Sequence, residues 1–116
     1  MIVRKMNKED LKYLNQITDW LYHWWGKSEG YSDQSIRQYV YYGLNDHCFP
    51  YTFGLFEEDV LIGIYQIRLD DLFVRPDLYP WLANVYIDKK YRHLGYGKIM
   101  LESVKENAPD AEVVSE

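Results

Sequence analysis

The sequence predicts an α/β (α+β) protein, a β-sheet with helices packed against it. Three observations carry that expectation. Residues 81–87 alternate with the period of two that marks a strand. Leu11, Leu14, Ile17, Leu21 and Trp24 recur at helical spacing. A strand–helix–strand crossover late in the chain then calls for helices against a sheet. At 116 residues the chain has one domain's length, enough for a modest two-layer core.

Each element has its own signal. Residues 2–6 (IVRKM) read as a short first strand. Asn7 is a good N-cap, and Lys8-Glu9-Asp10 puts acids in a first helical turn, where the dipole favours them. This helix should run to Trp25 and stop at Gly26, with Trp24 in the core beside Leu21 and Ile17. Residues 26–31 (GKSEGY) form a loop. Ser32 caps a second helix whose inner face carries Ile36, Tyr39 and Val40, with Gly43 near its end. Residues 51–56 and 60–69 make a hairpin around a Glu57-Glu58-Asp59 turn. Residues 70–80, with two prolines, connect to the strand at 81–87, where Trp81, Ala83, Val85 and Ile87 alternate with Leu82, Asn84 and Tyr86. Next comes a helix, with Ile99, Met100, Leu101 and Val104 as its buried stripe and Pro109 beyond its end. Residues 111–116 look like the start of another strand. The expected order is β-α-α-β-β-β-α-β, without repeats or low-complexity segments.

Composition narrows the function. No apolar run approaches the ~20 residues a bilayer crossing needs, and residues 1–5 lack the layout of a signal peptide. The expectation is a soluble cytoplasmic protein with no membrane partner. The net charge of −5, without a long basic run, argues against nucleic acid, which needs a clustered positive footprint. The same acidity suits a cationic small molecule. One cysteine, Cys48, and three scattered histidines supply no zinc-like spacing, so no metal site is expected. Twelve tyrosines and four tryptophans, many before residue 52, are the unusual feature. Aromatics are first of all core formers; a cluster on a loop would be a binding surface.

The octet "YRHLGYGK", residues 91–98, carries the chemistry. It is not a dinucleotide fingerprint, because Met100 stands where the third glycine belongs. Nor is it a Walker A loop, since Arg92 and Ile99 occupy its first-glycine and Ser/Thr positions. What remains is Arg92-x-x-Gly95-x-Gly97 opening a helix directly after a strand. The first helical turn offers unpaired N–H groups and the positive end of the dipole. Glycines allow a ligand close to the backbone, and Arg92 and Lys98 add positive charge. Taken alone, the octet reads equally as an anion cradle or as a glycine-assisted turn.

The wider stretch "PWLANVYIDKKYRHLGYGKIMLESVKENA" resembles the GNAT N-acetyltransferase superfamily in its fourth strand, its R/Q-x-x-G-x-G/A loop and the helix after that loop. The order of elements fits along nearly the whole chain, which the resemblance makes a single N-acetyltransferase domain over residues 1–116. It implies a mixed central sheet with helices on both faces, and acetyl-CoA as cosubstrate without a metal. Arg92, His93, Leu94, Gly95, Tyr96, Gly97 and Lys98 would surround the pyrophosphate, mainly through backbone N–H groups. The backbone of Val85, Tyr86 and Ile87 would pair with the pantetheine arm like an added strand, and an N–H there would stabilise the oxyanion. His93 would be a loop residue near phosphate and not a catalyst.

On the acceptor side the resemblance implies an amine that must lose a proton before attack. Asp70 and Asp71 are the candidates for a base, Asp71 acting together with Asn84, which could orient a water. For both aspartates a solvated strand end is the favoured reading. The family builds its acceptor pocket from the loop between the first two helices, so Trp25, Glu29 and Tyr31 are the expected contacts to a small-molecule amine such as a polyamine, an aminoglycoside or an amino-acid derivative. Family members continue past the fifth strand, and the last strand here is only begun at Glu116. The expectation is therefore a domain incomplete at its C-terminus, with an exposed strand edge that invites a homodimer. The alternative to an active enzyme is a catalytically impaired coenzyme A-binding or interaction module.

Overall fold

A computed structural model of the chain describes residues 2–48, 50–68, 81–107 and 112–113. One five-stranded sheet organises it, in the order β1 (Ile2–Lys5), β2 (Tyr51–Glu57), β3 (Val60–Arg68), β4 (Trp81–Ile87) and β5 (Glu112–Val113). The first four strands are antiparallel neighbour to neighbour, while β4 and β5 run parallel, pairing Trp81 with Glu112 and Leu82 with Val113. One face is covered by α1 (Leu14–Leu21) and α2 (Asp33–Gly43), which bury Ile17, Leu21, Ile36 and Val40 against Phe56 and Ile64. The other is covered by α3 (Tyr96–Asn107), whose Met100 and Val104 pack on Leu55, Tyr65 and Leu82. The mixed sheet with helices on both faces is the expected architecture. No helix among the described residues is long and apolar enough to cross a membrane.

Local signals act as their chemistry requires. Asn7 Oδ1 accepts the Glu9 N–H at 2.8 Å, and Asp10 Oδ2 accepts the Asn7 N–H at 2.9 Å, closing a capping box. Ser32 Oγ accepts the Ser35 N–H at 3.1 Å to open α2. The β2–β3 hairpin turns at Glu58, which adopts the left-handed φ of 55°.

Three expectations need correction. The first helical stretch is not one helix ending at Gly26. It opens as a 3-10 segment (Lys8–Tyr13), which leaves Leu11 exposed, continues as α1, and closes with a π turn (Tyr22–Gly26) in which the Lys27 N–H bonds to the Tyr22 carbonyl at 2.9 Å. The extra residue of a π turn rotates the residues after it by about 100°. Trp24 therefore leaves the core and is 40% exposed. Gly26 is buried, in a close approach where a Cβ would lie 2.9 Å from Ile36 Cγ1; the left-handed glycine past the turn is Gly30, at φ 85°.

The second correction is in α3. Met100, Ser103 and Val104 form its buried stripe, whereas Ile99 and Leu101 are exposed. The third is in β4. Ala83 pairs with Gln66 and Tyr86 with Ile64, so two β4 residues, Asn84 and Val85, face one residue of β3. This β-bulge breaks the period of two. Leu82 faces α3 and Tyr86 faces α1, although strict alternation would put both on one side.

Candidate active site

The glycine loop is fastened at both ends and open between. After β4, the Tyr91 N–H bonds to the Asp88 carbonyl at 2.8 Å, and Asp88 Oδ1 accepts the Lys90 N–H at 3.2 Å. Tyr91 and Tyr96 pack edge to face at 6.0 Å against the α3-side core. Between them Arg92, His93, Leu94 and Gly95 are exposed, as are Gly97 and Lys98. His93 and Gly95 take left-handed φ values of 68° and 87°. A Cβ at Gly95 or Gly97 would meet no atom within 4 Å. Gly97 sits inside the first turn of α3, where helix propensity alone favours almost any other residue. The backbone beside it is open, at a helix start whose first N–H groups lack intrahelical partners.

Arg92 is held in a defined place. Its Nε donates to the Ile87 carbonyl at 2.9 Å, and its guanidinium lies 5.1 Å from the centre of the Tyr86 ring. Tyr86 is itself packed by Trp20 and Trp24, at centroid distances of 5.1 and 5.4 Å. The loop and the Trp24 region thus lean on the same β4 side chain. Of the predicted β4 stretch, Val85 is exposed at 38%, Tyr86 is buried, and Ile87 is half-buried with its carbonyl capped by Arg92.

The bulge connects this stretch to a cavity of about 740 Å³ between the π turn with its following loop, α2 and the sheet. Trp25, Glu29, Tyr31 and Asn84, predicted from separate parts of the chain, all line it. Asn84 is only 5% exposed and has φ 52°, a conformation that asparagine tolerates better than most residues. Its Nδ2 donates to Gln66 Oε1 at 2.6 Å and to Tyr39 Oη at 2.8 Å. Tyr39 Oη also donates to Gln66 Oε1 at 2.8 Å, and Gln66 Nε2 reaches Thr52 Oγ1 at 3.1 Å. Both amide protons of Asn84 are committed, so its side chain is fixed, while Oδ1 accepts no hydrogen bond among the described residues.

Sequence reasoning missed Trp24, Tyr39 and Arg68 as cavity residues. Tyr39 is visible in the sequence only as an inner-face residue of α2, and the π turn hides Trp24. The Arg68 guanidinium lies 5.6 Å from the Tyr39 ring centre, at the edge of the cavity. Asp70 and Asp71 lie outside the described residues. Among the described residues no cluster of His, Cys, Asp or Glu could hold a metal ion.

Solved structures with this fold are numerous. A possible acetyltransferase from Clostridium difficile 630 superposes with a TM-score of 0.75 at 17% identity, over 99% of this chain and 79% of that one. A Clostridium acetobutylicum protein described as an acetyltransferase, solved with acetyl-CoA, gives 0.68 at 17% identity, over 99% and 80%. An aminoglycoside antibiotic 6'-N-acetyltransferase from Acinetobacter haemolyticus gives 0.68 at 11% identity, over 99% and 79%. These likenesses establish the fold. No curated protein matches the sequence. The model of the acetyltransferase (GNAT) family matches residues 14–115, which includes the bulged strand, the glycine loop and the cavity-lining helices, and the chain belongs to that family.

Proposed function

We propose that this domain transfers an acetyl group from acetyl-CoA to the primary amine of a small molecule. One observation carries the reading. Asn84 stands at the β4 bulge with its side chain lining the cavity, and its backbone leads directly into Val85–Ile87 and the glycine loop. An amine in the cavity would thus face the strand segment against which the thioester would lie. The acetyl-CoA held by the Clostridium acetobutylicum neighbour and the amine substrate class named for the aminoglycoside enzyme are consistent with this pairing.

The reaction forms a C–N bond as the C–S bond breaks; the amine gives up a proton and the thiolate gains one. Backbone N–H groups of 94–98 receive the pyrophosphate, helped by the α3 dipole and the Arg92 and Lys98 charges. The bulge frees a β4 N–H near Val85 to stabilise the oxyanion. Asn84 Oδ1 accepts a hydrogen bond from the incoming amine or from a water that takes its proton. Asp71, in the connection after β3, is the proposed base.

A thermal shift with acetyl-CoA, followed by free-thiol release with amines, tests the reading. At about 100 times its dissociation constant, the coenzyme should stabilise the fold by about 2.7 kcal/mol. Gly97→Glu is the diagnostic variant. An acidic residue in the first turn of α3 favours the helix, so the apo fold should hold, whereas its carboxylate meets the pyrophosphate. Stabilisation lost in a well-folded variant supports the site; an unchanged shift removes it. A wild-type shift without thiol release from any amine leaves only a coenzyme A-binding module.

A further inference from the structure

We propose that Gln66 is a positioning residue of the acetyl transfer: it holds Asn84 in its left-handed conformation and sets Oδ1, not Nδ2, toward the cavity. The inference rests on the acetyl-transfer reading and adds to it a residue that acts only through Asn84.

Gln66 is a polar interruption in an apolar strand. Its neighbours Ile64, Tyr65 and Ile67 are core residues, and Gln66 itself is 0% exposed. Burying an amide is unfavourable unless it is hydrogen-bonded. Three elements meet that need. Gln66 Nε2 donates to Thr52 Oγ1 on β2, its partner in register, while Oε1 accepts from Tyr39 Oη on α2 and from Asn84 Nδ2 on β4. Gly43 lets α2 close over this group, since a Cβ there would lie 2.7 Å from Thr52 Oγ1 and 3.1 Å from Gln66 Nε2. Gln66 is not among the described residues that line the cavity.

What the group fixes is one residue. Asn84 is left-handed, at φ 52°, beside a bulge inside a strand, and such a conformation persists only where the surroundings impose it. Its Nδ2 reaches Gln66 Oε1 at 2.6 Å and Tyr39 Oη at 2.8 Å. Turning the amide over would set Oδ1 against Gln66 Oε1, two acceptors with no proton between them. With Gln66 Oε1 in place, Nδ2 points inward and Oδ1 is the atom left for the cavity. An apolar side chain at position 66 would fill the same space and leave Asn84 free to rotate. The polar residue inside β3 therefore has its use in Asn84.

The test is a double-mutant cycle on the full chain, measuring thiol release from acetyl-CoA with spermidine and kanamycin as amine probes. Gln66→Met keeps the side-chain length and removes its amide. Asn84→Gly removes Oδ1 and takes the left-handed φ without strain. Each should lower kcat by about tenfold or more, with the KM for acetyl-CoA within about threefold, because the glycine loop is untouched. The double variant should be slower than Asn84→Gly by less than about twofold, since a residue acting through Asn84 then has nothing to act on. Tyr39→Phe, at a half-buried position, withdraws the other partner of Asn84 Nδ2 and repeats the cycle with little burden on the core. Losses that multiply in the double variants, or a folded Gln66→Met with wild-type kcat, overturn the inference. Exchange of the Asn84 side-chain amide protons, followed by NMR, reads the same contact without turnover. Protection in wild type should be lost in Gln66→Met; equal exchange in the two proteins overturns the inference. Protection lost in this way, with no thiol release from either probe in wild type, retains the hold of Gln66 on Asn84 and removes acetyl transfer to these amines.

Discussion

Asp10 shows how one side chain can close a fold locally. It is 4% exposed, yet it receives Arg4 through Nη1 at 3.0 Å and Nη2 at 2.7 Å, and the Asn7 N–H at 2.9 Å. Burial pushes its carboxyl up, but the Arg4 hydrogen bonds and charge together with the Asn7 N–H outweigh it, and the net shift is downward. A depressed folded value means the stabilisation is present above the unfolded pKa of about 3.9 and lost as pH falls through the folded value. Asp10→Asn should cost about 1.5–3 kcal/mol at pH 7, the scale of hydrogen bonds to charged groups. In urea titrations the gap to wild type should narrow below about pH 3.9; a gap independent of pH would contradict the assignment. Glu58 is the opposite case, a side chain at a left-handed turn position. Glu58→Gly should raise the urea midpoint by an amount equivalent to about 1 kcal/mol. The roles of Asn7 and Ser32 are legible in the sequence because capping is a property of one residue and its immediate neighbours. That Asn84 sits at a bulge is not, because an extra strand residue leaves no mark in composition.

Elements are legible in type and order, and misread where one residue changes the phase. The π turn at Tyr22–Gly26 and the bulge at Asn84 each add a residue to a regular repeat. Periodicity assigns faces correctly only up to such a point. It therefore puts Trp24 in the core, whereas Trp24 lines the cavity; Trp25 lies in the π turn itself, and Glu29 and Tyr31 belong to the loop after it, where periodicity assigns no face. The α3 stripe fails for a different reason, since apolar character is not the same as burial. Ser103 is buried because Tyr65 Oη lies 2.9 Å from its Oγ, while Leu101 points to solvent at 48%. A pair of truncations checks the register of α3. Met100→Ala, at 1% exposure, should cost about 2–5 kcal/mol. Leu101→Ala should cost less than about 0.5 kcal/mol, as surface changes do. Equal losses in a denaturant titration would show that the helix is rotated.

At the scale of the molecule, one sheet separates two apolar clusters, and each side carries one part of the candidate site. The α1/α2 side holds the cavity and the Asn84–Gln66–Thr52 chain; the α3 side holds the loop that starts the helix. Because both clusters share β2, β3 and β4, they should unfold together. Ile17→Ala on one face and Val104→Ala on the other should each lower a single urea midpoint with the slope unchanged. Two resolved transitions would contradict this. The fold class is legible because element order and crossover are long-range features of the whole sequence. The meeting of loop and cavity at β4 is not, because it depends on a bulge that only the folded sheet reveals.

The central claim is that residues 84–98 form one continuous coenzyme-binding segment. Hydrogen exchange with and without saturating acetyl-CoA tests it most directly. Protection should concentrate in peptides covering residues 84–98, and Gly97→Glu should abolish it. Protection located elsewhere, or a loop that exchanges identically with and without the coenzyme at saturation, would contradict the account.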